Sequence, residues 1–457
     1  MTTTGAIKPG GLVPLMHMPE ALADLSRSAA LMQAFRRCIP EFATGRMALQ
    51  AVEPRRVRLR EGPCTAIFDL TVDDGQGGRL IRLNGIADPW GRFDLGMPVP
   101  TTELGSPDWR CGVPELRLTL QTPPPDTALA SMSLLISPEK SLDLLRDALR
   151  RTDRYAGARL RSCEPTIARY KPGSRCTVVY QVVYEPGHAG PERVIAKTHH
   201  GDKGRTAFEG MRALWHSPLR SSEHVAIAEP LTFLEDLDVL LQGPVPGTMT
   251  LKDLAKPALA AGDVGALGQV FGQTGRGLAA LHRCGAHATP ASWQQELADV
   301  RKRVKRLARW VPGLDPGVTA WLDALEARTR LVPADPSVPS HRSFRPAQVL
   351  LDGDDIGFID FDGFCEAEPA MDLALFMATI KGMRTPATME EVERSCDDFL
   401  DGYRELADVT PHRTASWEAL HHLTNALNCW AKVRPERVTR NLALLDRHIE
   451  RTELPSI

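Results

Sequence analysis

Two aspartates, Asp360 and Asp362, follow the apolar run at residues 356–359, and that run reads as the return strand of a hairpin. Val349-Leu350-Leu351 is the outgoing strand and Asp352-Gly353-Asp354-Asp355 the turn. Carboxylates at a strand end offer the hard oxygens that Mg²⁺ prefers when it bridges to phosphate. Asp372 opens a helix, where its carboxylate can cap that helix or order the loop before it. Far upstream, Lys171-Pro172-Gly173-Ser174-Arg175 joins two strands, Arg169-Tyr170 and residues 176–184. Gly173 permits close backbone approach there, and Lys171 or Arg175 can meet phosphate charge.

These groups need a scaffold. A strand, Arg193-Val194-Ile195-Ala196-Lys197, precedes a helix over residues 206–215, and more β signal covers 225–241. From Leu251 onward the pattern is mostly helical, interrupted by a β-rich stretch at 348–361. A small β-rich lobe followed by a larger helical lobe is the coarse result. The glycines at 272, 275 and 277 (GxxGxG) fall in a helical stretch and read as a packing feature, and no Walker GxxxxGK[ST] motif occurs.

The first third has its own pattern. Residues 1–18 read as disordered or loosely attached, and helical periodicity begins near Pro19 with Leu22, Leu25, Ala29, Leu31 and Phe35. Residues 53–83 and 164–197 then resemble one another. Each starts with Glu-Pro, reaches Cys-Thr after a turn containing Gly and Pro, and continues through two apolar strands. Duplication and chance likeness of two hairpins both account for this. If duplicated, Leu83 aligns with Lys197, with Arg82 adjacent. The Pro-rich residues 121–126 read as a turn or linker, and Ser137-Pro138 as the N-cap and first position of a helix at 141–151.

Composition restricts the partners. A length of 457 residues suits two or three structural units, and 43% hydrophobic with 25% charged residues is ordinary for a globular chain. A net charge of −2 gives no global electrostatic case for nucleic acid or membrane partners. The cluster Arg301-Lys302-Arg303 with Lys305-Arg306 reads as a solvated helix face. No apolar run approaches the ~20 residues of a membrane helix, and the N-terminus lacks the pattern of a signal peptide. Nine cysteines without CxxC pairs suggest reduced thiols in a cytoplasm. The adjacent pairs His199-His200 and His421-His422 read as surface or packing residues.

The segment at 340–376 resembles the catalytic motif of aminoglycoside phosphotransferases, choline kinases and related small-molecule kinases. That motif runs His-x-Asp, four residues, Asn or Gln, then Ile-Asp-x-Asp and Asp-Leu-Ala. His341, Gln348, Ile359-Asp360-Phe361-Asp362 and Asp372-Leu373-Ala374 match it, and the resemblance covers the chain from about Glu164 to the C-terminus. It implies an α+β, bilobal protein-kinase-like fold with a small β-rich N-lobe and a large helical C-lobe. The N-lobe would span 151–246 and the C-lobe 247–457, preceded by an accessory α+β domain at 19–150.

The resemblance also implies ATP or another nucleoside triphosphate with Mg²⁺. Asp360, Asp362 and Gln348 would serve the metal, and Lys197 the α/β-phosphates with Glu209 as its ion-pair partner. Residues 171–175, with Lys171, Gly173 and Arg175, would cover the phosphates. The hinge at 239–247, with Gln242, Gly243 and Val245, would meet adenine, and His341 would order the catalytic loop. His282 reads as a structural contact.

One position departs from the motif: the catalytic Asp falls on Ser343, whose hydroxyl is uncharged at neutral pH and a poor base. Losing that base would cost roughly 10²–10⁴-fold in rate. Two functions follow as expectations. One is a phosphotransferase acting on a hydroxyl of an unknown small molecule or peptide. The other is a pseudokinase that binds nucleotide or a partner protein and regulates or scaffolds another enzyme. A homodimer through the accessory domain is compatible with both. Acceptor contacts are expected in the helices over 389–445, where Asp397, Asp398 and Asp401 read as a solvated face.

Overall fold

The computed structural model describes residues 12–59, 61–75, 77–124, 129 and 131–452. The chain divides into two compact units that interleave along the sequence. One comprises Met1–Pro125, Leu297–Arg328 and Ala419–Ile457, and the other Asp126–Glu296 and Thr329–Glu418. Among the described residues, no helix is long and apolar enough to cross a membrane.

The first unit begins with a short helix, Val13–Met16, and buries Leu12 and Leu15. Residues 12–18 are therefore anchored, where a loose attachment was expected, and residues 1–11 lie outside the described residues. The periodic apolar positions Leu22, Leu25, Leu31 and Phe35 are all buried, the last two from the helix Ser28–Cys38. Strands β1 (Ala48–Arg58), β2 (Cys64–Asp73), β3 (Gly78–Ala87), β4 (Arg110–Val113) and β5 (Leu118–Gln121) follow. They form one antiparallel sheet in the order β1-β2-β3-β5-β4. Phe35 meets Phe68 of β2 edge to face, with ring centroids 5.5 Å apart. Of the expected linker, residues 125 and 126 lie outside the described residues.

The second unit carries a helix, Pro138–Arg150, capped as expected: the Ser137 hydroxyl accepts from the Lys140 N–H at 3.4 Å. Next come β6 (Leu160–Lys171), β7 (Arg175–Tyr184), β8 (Arg193–Thr198), β9 (Ala226–Ile227), β10 (Pro230–Leu234), β11 (Val239–Gln242) and β12 (Met249–Thr250). Five of these form an antiparallel sheet, β6-β7-β8-β11-β10, the same order as in the first unit. The likeness extends to the last hairpin of each. The turns Pro114–Leu116 and Glu235–Leu237 both end on a non-glycine residue in the left-handed region, Arg117 (φ 44°) and Asp238 (φ 52°).

The helical part packs around a phenylalanine core. Phe376 stacks on Phe399 with centroids 4.2 Å apart, while Phe271 and Phe344 lie within 6 Å of it. Glycines let the helices Gly268–His282 and Met389–Arg404 touch backbone to backbone. A Cβ on Gly275 would fall 2.0 Å from the Phe399 carbonyl oxygen, and one on Gly402 would fall 2.1 Å from that of Gly272. This is the packing role expected of GxxGxG. Strands β13 (Val338–Ser340), β14 (Val349–Asp352), β15 (Asp355–Phe358) and β16 (Cys365–Ala367) deliver the carboxylate hairpin. β14 and β15 pair Val349 with Phe358 and Asp352 with Asp355.

Candidate active site

The return strand β15 stops at Phe358, and two residues later Asp360 takes a left-handed backbone (φ 73°), which Asp tolerates better than most residues. The chain then makes one tight turn, Phe361–Gly363, carrying Asp362. Residues separated by 163 positions meet here. Lys197 Nζ of β8 donates to Asp360 Oδ1 at 3.3 Å, and their side chains are only 12% and 24% exposed. Arg175, the first residue of β7, spans both carboxylates: Nη1 lies 3.8 Å from Asp360 Oδ1 and Nη2 2.9 Å from Asp362 Oδ2. The second contact has ion-pair distance without hydrogen-bond alignment, so Asp362 Oδ2 is a buried oxygen with no hydrogen bond.

Burial pushes the Asp360 carboxyl up, but Lys197 and Arg175 outweigh burial and hold it below the usual carboxylate range. His199, two residues after Lys197 and just past the end of β8, places Nδ1 3.9 Å from Asp362 Oδ2. Burial lowers its imidazole pKa despite the neighbouring carboxylate. By sequence, the adjacent pair His199-His200 is expected on the surface or in packing. The two-residue spacing from Lys197 was the available signal.

The loop before β14 is held from below. Asp372 is fully buried and accepts from the His341 backbone N–H at 2.6 Å, so it orders that loop. His282, between Asp372 (3.4 Å) and the Tyr403 hydroxyl (2.9 Å), is the structural contact expected of it. His341 Nε2 faces the Ile359 carbonyl at 3.0 Å, and its Nδ1 lies 3.2 Å from Ser343 Oγ. Gln348 fixes the hairpin through its backbone, accepting from the Ile359 N–H at 3.0 Å, while its side-chain Oε1 is buried without a partner.

Asp360, Asp362 and Gln348 thus present hard oxygens, two of them buried with no hydrogen bond, and this donor set suits Mg²⁺. Among the described residues no group of three or more His, Cys, Asp or Glu side chains forms a metal cage. The arrangement fits a metal that also takes oxygens from a bound phosphate.

Other candidates fall differently. Glu209 is exposed on the helix Lys203–Trp215, because Ala207, Met211 and Leu214 form its buried stripe, and Lys197 pairs with Asp360 instead. In the covering turn, the Ser174 N–H bonds to the Lys171 carbonyl at 3.0 Å, Gly173 has φ 63°, and Arg175 after it reaches the carboxylates. At the hinge, Gln242 pairs with Ile195 inside the sheet and Val245 is buried. The Gly243 N–H is engaged by the Glu229 carbonyl at 2.8 Å, so it is not free to meet adenine.

Residues 178–451 match the phosphotransferase enzyme family (APH). No curated protein matches the chain in sequence. Among solved structures, a choline/ethanolamine kinase family protein from Mesorhizobium loti is 13% identical, covering 68% of this chain and 98% of its own, with a TM-score of 0.46. Choline kinase from Cryptosporidium parvum is 12% identical, with 69% and 98% coverage and a TM-score of 0.47. A fructosamine-3-kinase-like protein from Thermobifida fusca is 15% identical, with 66% and 98% coverage and a TM-score of 0.43. The family match spans more than half of the sequence, and the chain belongs to the APH phosphotransferase enzyme family.

Proposed function

We propose that the chain transfers the terminal phosphoryl group of ATP, with Mg²⁺, to a hydroxyl of a small molecule or peptide. One observation carries this reading: the 3.3 Å contact between Lys197 on its strand and Asp360 after its distant hairpin. Lys197 would hold the α/β-phosphates. Asp360, Asp362 and Gln348 would hold the metal, which when bound neutralises charge on the phosphates. Arg175, now across two carboxylates, is a second cation able to turn toward a phosphate chain. Asp372 and His341 keep the loop in place.

Ser343 can hydrogen-bond an acceptor hydroxyl but lacks the charge of a carboxylate base. Transfer to an acceptor is then slowed by roughly 10²–10⁴-fold, while positioning and charge neutralisation persist. That same residue favours a second reading, a pseudokinase that binds nucleotide to regulate or scaffold a partner.

Thermal denaturation with ATP and Mg²⁺ tests both readings. Stabilisation that disappears in Lys197→Ala and Asp360→Ala supports the nucleotide site, and no shift at saturating nucleotide removes both. Acceptor-dependent, multiple-turnover ADP formation by the natural chain would eliminate the pseudokinase. Activity that appears only in Ser343→Asp would favour it.

A further inference from the structure

Ser343 is half-buried, and its hydroxyl has a single hydrogen-bond partner among the described residues, His341 Nδ1 at 3.2 Å. The opposite ring nitrogen faces the Ile359 carbonyl at 3.0 Å. A carbonyl only accepts, so Nε2 carries the hydrogen. In that tautomer Nδ1 offers a lone pair, and the Ser343 hydroxyl donates to it. The imidazole is fully buried and cannot swing away. It packs against Phe361 and Phe344 at 4.7 and 5.7 Å between centroids, while its backbone N–H is fixed by Asp372. A hydroxyl on an imidazole whose other nitrogen is oriented by a third group is the arrangement that makes serine a nucleophile.

Its location suits a phosphoryl donor. Ile359, which orients the ring, immediately precedes Asp360, the residue paired with Lys197. Lys197 and Arg175 supply two cations beside that strand end, and the Ser343 loop also carries Gln348 with its unpartnered oxygen. No hydrogen bond or ion pair links the Ser343 side chain to a carboxylate among the described residues.

Resting on the proposed nucleotide site, we infer that Ser343 is a phosphorylation site that the chain modifies itself. Ser343 Oγ forms a bond to the terminal phosphorus of a nucleoside triphosphate. The bond from that phosphorus to the bridging oxygen breaks, and the nucleoside diphosphate leaves. The hydroxyl proton passes to His341 Nδ1, and the departing diphosphate takes it from there as it leaves through the half-buried Ser343 side. The product is a phosphoserine of about −1.5 to −2 charge.

The test uses the full-length chain incubated with ATP and Mg²⁺, followed by intact-mass measurement and peptide mapping. One phosphoryl increment on the peptide containing Ser343 is expected. Ser343→Ala should fall to background and Ser343→Thr, which keeps the hydroxyl, should retain the increment. His341→Gln keeps a donor toward Ile359 and an acceptor, but loses the basic ring nitrogen that can take the proton. It should slow incorporation by roughly 10²-fold, the scale of a lost proton acceptor. Binding of a non-hydrolysable ATP analogue, read by thermal shift on the same samples, separates the two ideas. Analogue binding with no increment at Ser343, or an equal increment in Ser343→Ala, overturns the inference and leaves the nucleotide site standing. Failure of the analogue to bind overturns the proposed function, and the inference falls with it.

Discussion

The two five-stranded sheets share strand order and the left-handed turn of their last hairpin, yet their charges are arranged for different ends. Register makes them comparable residue by residue. Thr65 pairs with Ile86 and Ile86 with Thr119, while Thr177 pairs with Lys197 and Lys197 with Leu240. Counted from either neighbouring strand, Ile86 occupies the place of Lys197. Leu83, which sequence alignment put there, is a fully buried core residue three positions away. Pro63 precedes the Cys-Thr pair of the first sheet where Arg175 precedes that of the second. The first sheet has neither cation of the site at these positions. Its charge instead locks the sheet: Asp69, 2% exposed, accepts from Arg55 at 2.8 Å and from Arg82 at 2.7 and 2.9 Å. One sheet holds a self-satisfied ion cluster, and the other faces two carboxylates through Lys197 and Arg175, leaving Asp362 Oδ2 without a hydrogen bond.

Breaking the second site should give the largest effect. Lys197→Ala should remove a charge-assisted contact worth about 1.5–3 kcal/mol and abolish most of the Mg·ATP thermal shift. The mirrored change, Ile86→Lys, should leave that shift untouched, because its strand has no counterpart to Asp360. A nucleotide response gained in Ile86→Lys would show that the sheets differ in the lysine alone.

Asp69→Asn should cost about 1–3 kcal/mol of stability in urea or thermal unfolding, with nucleotide binding preserved. Its arginines hold the Asp69 carboxyl below the ordinary range, Arg82 first, against the opposing effect of burial. A depressed folded pKa means stability present above the unfolded value and lost as pH falls through the folded one. The natural chain and Asp69→Asn should therefore converge in stability only on acidification below the usual carboxylate range. The same sign holds for Asp360 and Asp360→Asn. A gap between natural chain and variant that persists at that acidity would refute the electrostatic account.

The smallest effect is expected at Arg175, which is 35% exposed. Arg175→Gln should tighten Mn²⁺ binding to the nucleotide-free chain by a few-fold, in line with about 0.2–1 kcal/mol for a partly solvated pair. Calorimetric titration with Mn²⁺ reads this directly, and unchanged affinity would mean that the guanidinium does not compete with the metal.

Much of this was legible in the chain itself. The hairpin ending in Asp360-x-Asp362, the strand ending at Lys197, the Ser137 cap and the two meanders all rest on local period and turn chemistry, which neighbouring residues encode. Several assignments were not legible. Glu209 had the family position for an ion pair, but the buried stripe of its helix turns it outward. Gly243 looked like an adenine donor until the Glu229 carbonyl took its N–H.

The sequence by itself determined the types and order of the strands, the identity of the charged residues and the serine where a carboxylate was expected. Tertiary structure decided which charges meet. Contacts such as Lys197 with Asp360, Arg175 with Asp362 and Ser343 with the free nitrogen of His341 depend on register and backbone direction. These are fixed only when strands pair and the core closes, since a one-residue slip turns a side chain to the opposite face of its sheet.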